Sequence, residues 1–411
     1  MKKPVAFLFI LMACLSARGQ RNEIHAQGIA TLQVVAGNRW LDMPVVWLNG
    51  PEAIHISFDD LTHEYKRYTY KIEHCEADWT VSEDLFASDY VDGFPDENTI
   101  DRVEQSYNTT VLYTHYSLSI PNEKCRIKMS GNYKLTVSDA NNANRKVLTA
   151  CFMVCEQTAS LQMNVTTNTD IDVNKAHQQV SMNLNYGNLI VNAPQEQIKT
   201  VVLQNGCWNS ARINAAPQYY TPQGLSWQHQ RDFIFPAGNE YRKFETLDTD
   251  HPTMGIDRMA WDGEHYHAYP FVNEPRYNYV YDKDANGAFY VRNSDNIDND
   301  IASDYLLVHY VLKCPQPVNG EVYINGTWTN GRFLQEYKME YNEETKAYEA
   351  VVMQKQGYYS YRYVLMLPDG TINTMPTEGD FYQTENKYQA LVYFKGSGER
   401  TDRLVGFQET R

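Results

Sequence analysis

The sequence contains few cysteines and no Cys-x-x-Cys pair. Seven cysteines occur among 411 residues, at irregular spacings. Zinc ribbons and thioredoxin-like redox centres need closely spaced cysteine pairs, so neither is indicated. Six cysteines remain if the N-terminal segment is removed, and the sequence does not choose among their pairings. We expect most of them to be buried free thiols. The six are Cys75, Cys125, Cys151, Cys155, Cys207 and Cys314.

Positive charge is also scarce. The chain has 36 Lys and Arg against 51 Asp and Glu, which gives a formal net charge of −15. Removal of Lys2, Lys3 and Arg18 with a signal segment takes three positive charges away and leaves −18. No basic cluster occurs elsewhere. An acidic chain repels phosphate backbones and anionic headgroups, so binding to nucleic acid or to a membrane surface is disfavoured.

Long apolar runs are absent after the N-terminus. Residues 5–15 are almost entirely apolar, follow two lysines and precede small residues, which is the layout of a secretory signal. We expect a signal peptide at 1–19, cleaved before Gln20, and a soluble periplasmic product. Residues around Cys14 loosely resemble a lipoprotein box that would leave this cysteine acylated, but Met12 fits the box poorly. No later run approaches the ~20 apolar residues of a transmembrane helix, so none is expected.

What the sequence does contain is a period of two. Apolar and polar residues alternate over several runs, and successive side chains of a strand point to opposite faces. Such half-buried strands are typical of antiparallel sheets, and the 31 tyrosines suit their surfaces. The runs are 67–73, 133–138, 161–166 and 179–186. Helical periods are scarce, and one short helix is predicted at 82–90 with Ser82 as its cap. The predicted fold class is all-β, with tandem antiparallel β-sandwich domains.

Turn residues between apolar runs predict two hairpins. Asn-Gly would close the first hairpin, between residues 277–281 and 288–292, because this dipeptide adopts the tight turn that suits twisted strands. Pro-Asp-Gly would close the second hairpin, between 365–367 and 371–373. Both turns support a sheet built from neighbouring antiparallel strands.

Composition shifts divide the chain into segments. A polar stretch at 293–300 reads as a linker or loop, and the strand-rich segment after it has a natural length for one sandwich. The predicted organisation is a signal peptide at 1–19, an N-terminal β-sandwich at 25–157, a middle β-rich domain at 158–300, a C-terminal immunoglobulin-like, early-set sandwich at 301–400, and a tail at 401–411.

Metal sites are weakly indicated. Residues 282–287 match the opening of a calcium loop, but Asn293 stands where a bidentate Glu is needed, and a hairpin turn explains the same residues. His265 and His267 could share one strand face, with His251 and Glu264 nearby, but a third ligand cannot be placed. We therefore predict no metal site and no cofactor.

Catalytic motifs are missing as well. The sequence has no P-loop and no dinucleotide fingerprint. Asp59, Asp60 and Asp78 could be imagined as paired carboxylates of a glycosidase, but Asp near strand ends more often caps turns. We predict no catalytic residues. Four tryptophans could stack on sugars or fill a partner's pocket, although most tryptophans anchor cores. They are Trp208, Trp227, Trp261 and Trp328.

One set of sequence blocks is distinctive in order and spacing. The strongest blocks lie between residues 56 and 133, and weaker ones follow at 238–242, 290–296, 304–310 and 400–406. Their most characteristic residues are Asp59, Asp60, His74, Cys75, Asp78, Trp79, Asp92, Gly93, His115, Asn132 and Tyr133. Together the blocks resemble the plug-protein family of the Bacteroidetes type IX secretion system over nearly the whole mature chain.

This resemblance implies a function. It implies a periplasmic protein that docks on the periplasmic mouth of a very large outer-membrane β-barrel translocon and occludes the pore when no substrate occupies it. The family implies no enzymatic activity, and it supplies no partner-contacting residues that can be carried over. Residues 322–330 also resemble an early-set sandwich of the glycogen-binding type, but Gly331 stands where a closing Trp is expected.

Two other functions compete with this expectation. An envelope carbohydrate-binding accessory protein would present exposed, coplanar aromatic rings in a groove to a glycan. A hydrolase with an unrecognised site would bring carboxylates or histidines together in one cleft with perturbed pKa values. Abundant Tyr and Trp also suit a protein-recognition surface, since these residues dominate binding hot spots.

Overall fold

The computed structural model describes residues 21–411. The predicted signal peptide 1–19 and the alternative lipid anchor at Cys14 lie outside the described residues. Within 21–411, strands joined mostly in antiparallel pairs form several sheets, and the predicted all-β fold class is confirmed. No helix in this part of the chain is long and apolar enough to cross a bilayer. The short helical turns are α1 Ala87–Tyr90, α2 Pro194–Gln197 and α3 Asn299–Ala302, with 3-10 turns at Trp208–Ser210, Arg231–Phe233, Thr327–Thr329 and Gln335–Tyr337.

The first sandwich contains the strands between residues 23 and 155. They are β1 Glu23–Ile24, β2 Ile29–Ala36, β3 Val45–Trp47, β4 Ile54–Asp60, β5 Tyr68–Cys75, β6 Val91–Gly93, β7 Asn98–Thr99, β8 Arg102–Gln105, β9 Thr114–Ile120, β10 Cys125–Ile127, β11 Gly131–Asp139 and β12 Asn142–Cys155. One sheet has the order β1-β12-β11-β5-β7, with β3 parallel to β12, and the facing sheet has the order β2-β4-β9-β8. Alternate residues such as Phe58, Ile72 and Leu135 fill the shared core.

The second sandwich begins with the next seven strands. They are β13 Ser160–Thr166, β14 His177–Asn185, β15 Ile198–Gln204, β16 Arg212–Ile213, β17 Tyr219–Thr221, β18 Gly224–Trp227 and β19 Ile234–Pro236. One sheet has the order β13-β14-β18-β17, with β19 also on β14. Strands β15 and β16 belong to the other sheet, which is incomplete at this point of the chain.

The third sandwich is a ten-stranded sheet that curls over its own core. Its strands are β20 Arg242–Glu245, β21 Ile256–Trp261, β22 Tyr266–Pro270, β23 Phe289–Val291, β24 Tyr305–Lys313, β25 Glu321–Asn325, β26 Lys338–Asn342, β27 Ala347–Lys355, β28 Gly357–Met366 and β29 Ile372–Thr374. The main path is β20-β28-β25-β26-β27-β24-β22-β21. Val308 from one half and Tyr361 from the other lie in one core.

The last two strands complete the second sandwich. Strands β30 Tyr388–Phe394 and β31 Arg403–Thr410 extend β15 into a sheet with the order β16-β15-β30-β31. Val202 and Val392 face the core of the second sandwich, whereas Val201 and Leu391 face a further core shared with the first sandwich. Burial on both faces explains why β30 is apolar throughout.

The sheets divide the chain differently from the predicted segments. The predicted limits 158–300 and 301–400 separate β20–β23 from the sheet they belong to, and the predicted tail 401–411 is strand β31. Strand β15 pairs with β30, almost two hundred residues later in the chain. Pairing at such separation leaves no mark on local periodicity or composition, so sequence segments could not show it. The early-set type predicted for 301–400 stays a prediction.

Of the two predicted hairpins, one is confirmed and one is wrong, and the predicted helix is shorter than expected. The second hairpin is confirmed, since Met366 pairs with Ile372. The first is wrong, because residues 277–281 form no strand and β23 pairs with β28 instead. The helix predicted at 82–90 shrinks to α1, and Ser82 caps no helix but is buried among polar partners.

All six cysteines of the described chain are unpaired, and five of them are buried. Cys207 is the partly exposed one. Burial raises the pKa of Cys75 and of Cys151 to about 12, which keeps these thiols protonated and unreactive. The expectation that most of the cysteines are buried free thiols is confirmed.

Candidate docking surface

The residues that carry the family resemblance concentrate in two buried polar clusters. The first, here called the Asp59 cluster, joins the first sandwich to the third. The second, here called the Glu76 cluster, joins the first sandwich to the second. Asp92 is exposed on β6 and stands apart from both. Gly93 has φ +105, and a Cβ there would lie 2.2 Å from the Lys124 carbonyl oxygen, so this turn requires glycine.

The Asp59 cluster surrounds one carboxylate at the end of β4. Asp59 is 1% exposed, and its Oδ1 lies 2.7 Å from Nδ1 of His115 on β9. Its Oδ2 accepts hydrogen bonds from Lys355 Nζ at 2.6 Å and Tyr305 Oη at 2.7 Å, both on the third sandwich. Tyr305 Oη also lies 2.6 Å from Oγ1 of Thr31. Two sandwiches therefore meet on a single buried carboxylate.

Aromatic and backbone contacts extend the Asp59 cluster. Lys355 Nζ lies 4.0 Å from the ring centroid of Tyr113, and the Tyr113 and Tyr305 rings meet edge to face at 5.4 Å. Asp304 accepts a hydrogen bond from the backbone N–H of Thr110 at 2.7 Å. These contacts fix a loop of the first sandwich on the beginning of β24.

Asp59 and Lys355 form a buried salt bridge. Burial alone would raise the pKa of the Asp59 carboxyl, but Lys355 and His115 outweigh it and hold this pKa below its ordinary value of 3.8. Burial lowers the pKa of Lys355, and the attraction of Asp59 opposes that shift. Neighbouring Asp60 is held separately by Lys66, whose Nζ lies 3.0 Å from Oδ2, and by the Tyr68 hydroxyl.

The Glu76 cluster ties the first sandwich to the segment before β31. Ser82 Oγ donates to Glu76 Oε1 at 2.6 Å and lies 2.9 Å from His74 Nδ1. Thr401 Oγ1 donates to the same Glu76 oxygen at 2.7 Å, and the backbone N–H of Asp402 donates to Glu76 Oε2 at 3.0 Å. The Asp402 carboxylate in turn pairs with Lys199 at 2.7 Å.

Further motif residues pack around this cluster. Tyr393 Oη donates to Asn132 Oδ1 at 2.9 Å, and both side chains are buried. Trp79 is fully buried in the core between the first and second sandwiches, where its ring meets Trp208 edge to face at 5.6 Å. Tyr133 and Cys75 are buried without exposure. Asn132 and Trp79 therefore join the first sandwich to the second, whereas Tyr133 packs in the core of the first.

The carboxylates considered as a catalytic pair do not converge. Asp59 binds Lys355 and His115, and Asp60 binds Lys66. Asp78 accepts hydrogen bonds from Thr80 in a local turn. Among residues 21–411, no group of three or more His, Cys, Asp or Glu side chains is arranged to hold a metal ion.

The two histidines that were expected to share one strand face make different contacts. Nδ1 of His267 lies 2.7 Å from Nε2 of His309, and Nε2 of His267 lies 2.9 Å from Oδ2 of Asp262. His265 contributes its backbone N–H to Asp262 Oδ1 at 2.8 Å. His251 pairs with Asp248 in its own turn.

The calcium-like loop at 282–287 is held by protein groups. Asp282 pairs with Lys243 at 2.5 Å, and Asp284 turns inward to accept hydrogen bonds from the backbone N–H groups of Tyr241 and Asn286. Burial raises the pKa of the Asp284 carboxyl to about 7 although these hydrogen bonds oppose the shift. The Asp284 carboxyl is therefore engaged by backbone groups of its own chain.

Asp284 should make stability depend on pH. Because its folded pKa of about 7 exceeds the ordinary 3.8, the folded state binds the proton more tightly, and this stabilisation is lost as the pH rises from 4 through 7. Asp284→Asn is expected to reduce the slope of unfolding free energy against pH in this window, measured by denaturant unfolding. Asp369→Asn, in an exposed turn, is the control and should leave the slope unchanged. An unaltered slope in Asp284→Asn would refute the assignment.

The aromatic rings do not form a sugar-binding platform at the C-terminal segment. Trp328 is 9% exposed and lies in the core of the third sandwich, and Trp227 lies in the core of the second. A cavity of about 200 Å³ opens where the three sandwiches meet and is lined by Trp40, Trp208 and Tyr241. The side chains of Asn205 and Gln389 that line it already bond to other protein groups.

One sheet face of the third sandwich is largely apolar and partly exposed. We call it the open face; its residues are Tyr269, Leu307, His309, Val311, Val351 and Met353. On β24, Val308 and Tyr310 point into the core, so Leu307 and His309 point outward. They pair directly with Met353 and Val351 of β27, which are 40% and 51% exposed. Solvated faces of antiparallel sheets are normally polar, so this face is unusual.

Ring stacking organises one side of the open face. The Tyr269 and His309 rings are stacked with centroids 4.2 Å apart, and the Arg258 guanidinium lies 3.6 Å above Tyr269. Burial, His267 and Arg258 lower the pKa of His309 to about 4, so its ring is neutral at neutral pH. His309 is therefore an uncharged member of the open face, and Arg258 is a cation beside Tyr269.

Sequence reasoning found the motif residues but missed their partners. Residues 304–310 belong to a recognised block that opens the strand-rich C-terminal segment. Lys355 carried no signal, because a lysine in an alternating strand reads as a solvated residue. The open face was missed because its side chains come from strands that are distant in sequence.

Comparison with known families places the chain. Residues 29–156 match the family model described as type 9 secretion system plug protein, first domain, which spans strands β2 to β12. The chain belongs to the type 9 secretion system plug protein family. This plug-family protein is also similar over nearly its whole length to a crystal structure of a hypothetical protein from Parabacteroides merdae ATCC 43184. The two share 37% sequence identity and a TM-score of 0.92, with 96% of this chain and 99% of that one covered. No curated protein matches.

Membership states what kind of protein this is. The family is one of secretion-system plug proteins and not a known enzyme family, and it implies interaction with a component of the secretion system in the cell envelope. In this plug-family protein the matched region is the sandwich that carries both buried clusters. The prediction of the family from sequence is confirmed.

Proposed function

We propose that this protein docks on the periplasmic opening of the type IX outer-membrane translocon, a large β-barrel, and occludes it when no substrate is present. The observation that carries the proposal is the family match, which names a plug. The structure supplies a suitable body, because the Asp59 and Glu76 clusters join the first sandwich to both others through buried charges. A plug must resist deformation while it blocks a pore, and three interlocked sandwiches meet that need.

The docking part predicts a specific partner. Tagged mature protein, purified from solubilised envelopes and analysed by mass spectrometry, is expected to recover a very large outer-membrane barrel. Recovery should fall when substrate-loaded complexes are enriched first, because the substrate then occupies the pore. Recovery of no barrel, with retention on a glycan column, would contradict docking and favour the carbohydrate-binding alternative.

The occlusion part has its own readout. The purified barrel in a planar bilayer is expected to conduct ions, and addition of the plug to the periplasmic side should abolish the current. A barrel that binds the plug and still conducts would retain docking and refute occlusion.

A further inference from the structure

The open face continues an interface that already exists within the chain. Tyr305 and Lys355 are paired neighbours on β24 and β27, and they point to the same side as Leu307 and Met353. Both are covered by the first sandwich at the Asp59 cluster, where each is 1% exposed. One sheet face is thus covered by protein at its beginning and left open beyond it.

The covered end gives the open face the shape of a corner. The first sandwich lies over Tyr305 and Lys355, so its surface borders the open face at this end. Leu112, next to Tyr113 in the first sandwich, is 48% exposed. A corner with the apolar open face as one side fits a protruding segment of a partner better than it fits a second flat sheet.

Charge around the corner restricts the partner further. The loop before β24 carries Asp295, Asp298 and Asp300, and the Asp300 side chain is 57% exposed. Its backbone oxygen accepts a hydrogen bond from Lys355, which fixes the loop at the corner. The whole chain has a net charge of −15, which disfavours a second copy and an anionic lipid surface alike. An apolar segment flanked by basic residues is the complementary partner.

We propose that the open face is the surface on which the translocon docks, and that it receives a protruding apolar segment of the barrel's periplasmic rim with basic residues beside it. The proposal rests on the proposed docking function. The stacked rings of Tyr269 and His309, with Arg258 over Tyr269, form a rigid aromatic part of the surface, and Val351 and Met353 supply exposed aliphatic surface. Burial of such groups at the centre of a contact contributes most of the binding energy, while the acidic loop orients the approach.

Substitutions on the open face test the proposal. Val351→Arg with Met353→Arg removes apolar surface and adds positive charge facing the basic segment, so recovery of the barrel is expected to fall at least tenfold. Val173→Arg is the matched control, since Val173 is 58% exposed and lies outside the third sandwich. Its recovery should equal that of the wild type. Equal recovery with the double substitution would overturn the proposal.

A second measurement does not depend on substitution by charge. A photo-crosslinking amino acid at position 351 is expected to form an adduct with the barrel, and one at position 173 is not. Unfolding midpoints of the variants, compared with the wild type, identify any loss of barrel recovery that comes from misfolding. In that case the crosslink at position 351 shows whether the open face contacts the barrel. Wild-type protein that recovers no barrel would refute the docking function itself, which distinguishes that failure from a wrong surface.

Other occupants give different outcomes. Concentration-dependent dimers of the wild type that vanish in the double variant would show a second copy on the open face. Flotation with phosphatidylglycerol vesicles that depends on Val351 would show a lipid surface. Either result would overturn the proposal.

Discussion

Lys355→Met is expected to lower the free energy of unfolding by about 3–5 kcal/mol, because it leaves the Asp59 carboxylate buried without its cation. Both side chains of the pair are 1% exposed, so water cannot replace the lost contact. Met keeps similar volume, which limits any cavity. Denaturant unfolding followed by tryptophan fluorescence measures the change.

Lys338→Met is the matched control for this experiment. Its ammonium pairs with Glu321 at 2.7 Å, but the Glu321 side chain is 44% exposed, and solvent screens such exposed pairs so that they contribute little. The double variant Asp59→Asn with Lys355→Met should recover much of the lost stability, because no unpaired charge remains. A loss below about 1 kcal/mol in Lys355→Met would show that the pair is not the joint between the sandwiches.

The same pair gives a pH dependence with a defined sign. The folded pKa of Asp59 lies below the ordinary 3.8, so its stabilising contribution is present above that value and is lost as the pH falls through the folded pKa. Asp59→Asn should therefore lose less stability than the wild type on acidification. This slope is opposite to the one expected from Asp284.

Trp79→Ala is expected to cost about 3–5 kcal/mol, the usual range for a large aromatic removed from a core. Trp79 is fully buried among side chains from the first and second sandwiches, and Trp208 alone cannot fill the space it leaves. Denaturant unfolding provides the measurement, and limited proteolysis near residue 157 reports opening between the two sandwiches.

Trp261→Ala serves as the comparison, because its ring is 49% exposed on β21 and contributes to no buried core. Its stability should change by no more than about 1 kcal/mol. A loss of no more than about 1 kcal/mol in Trp79→Ala as well would mean that the core between the sandwiches adds little to stability.

Local sequence patterns correctly predicted individual strands and one of the two turns. Alternation at 161–166 and 179–186 reported two strands that pair with each other, because half-buried strands record burial in their own residues. The Pro-Asp-Gly turn was readable for the same reason. The Asn-Gly signal at 286–287 misled, because Arg276 and Tyr279 fix the preceding residues to Glu240 and prevent a strand there.

The candidate surface was beyond sequence reasoning. His115 and Asp59 were recognised as motif residues, but their role depends on Lys355, which lies 296 positions from Asp59. Likewise, Val351 in an alternating strand looks the same whether its face is covered or open. Only the pairing of distant strands decides which apolar face has a partner inside the chain.

The return of the last strands to the second sandwich determines the order in which the chain can fold. The strands of the first sandwich all lie before residue 156, and the third can close within its own residues. Strand β15, with Val201 and Leu203 on one side and Val202 on the other, must wait for β30. An apolar strand with an unpaired edge is prone to join other chains. The half-built second sandwich is thus the stage at which newly made chains most need protection from aggregation.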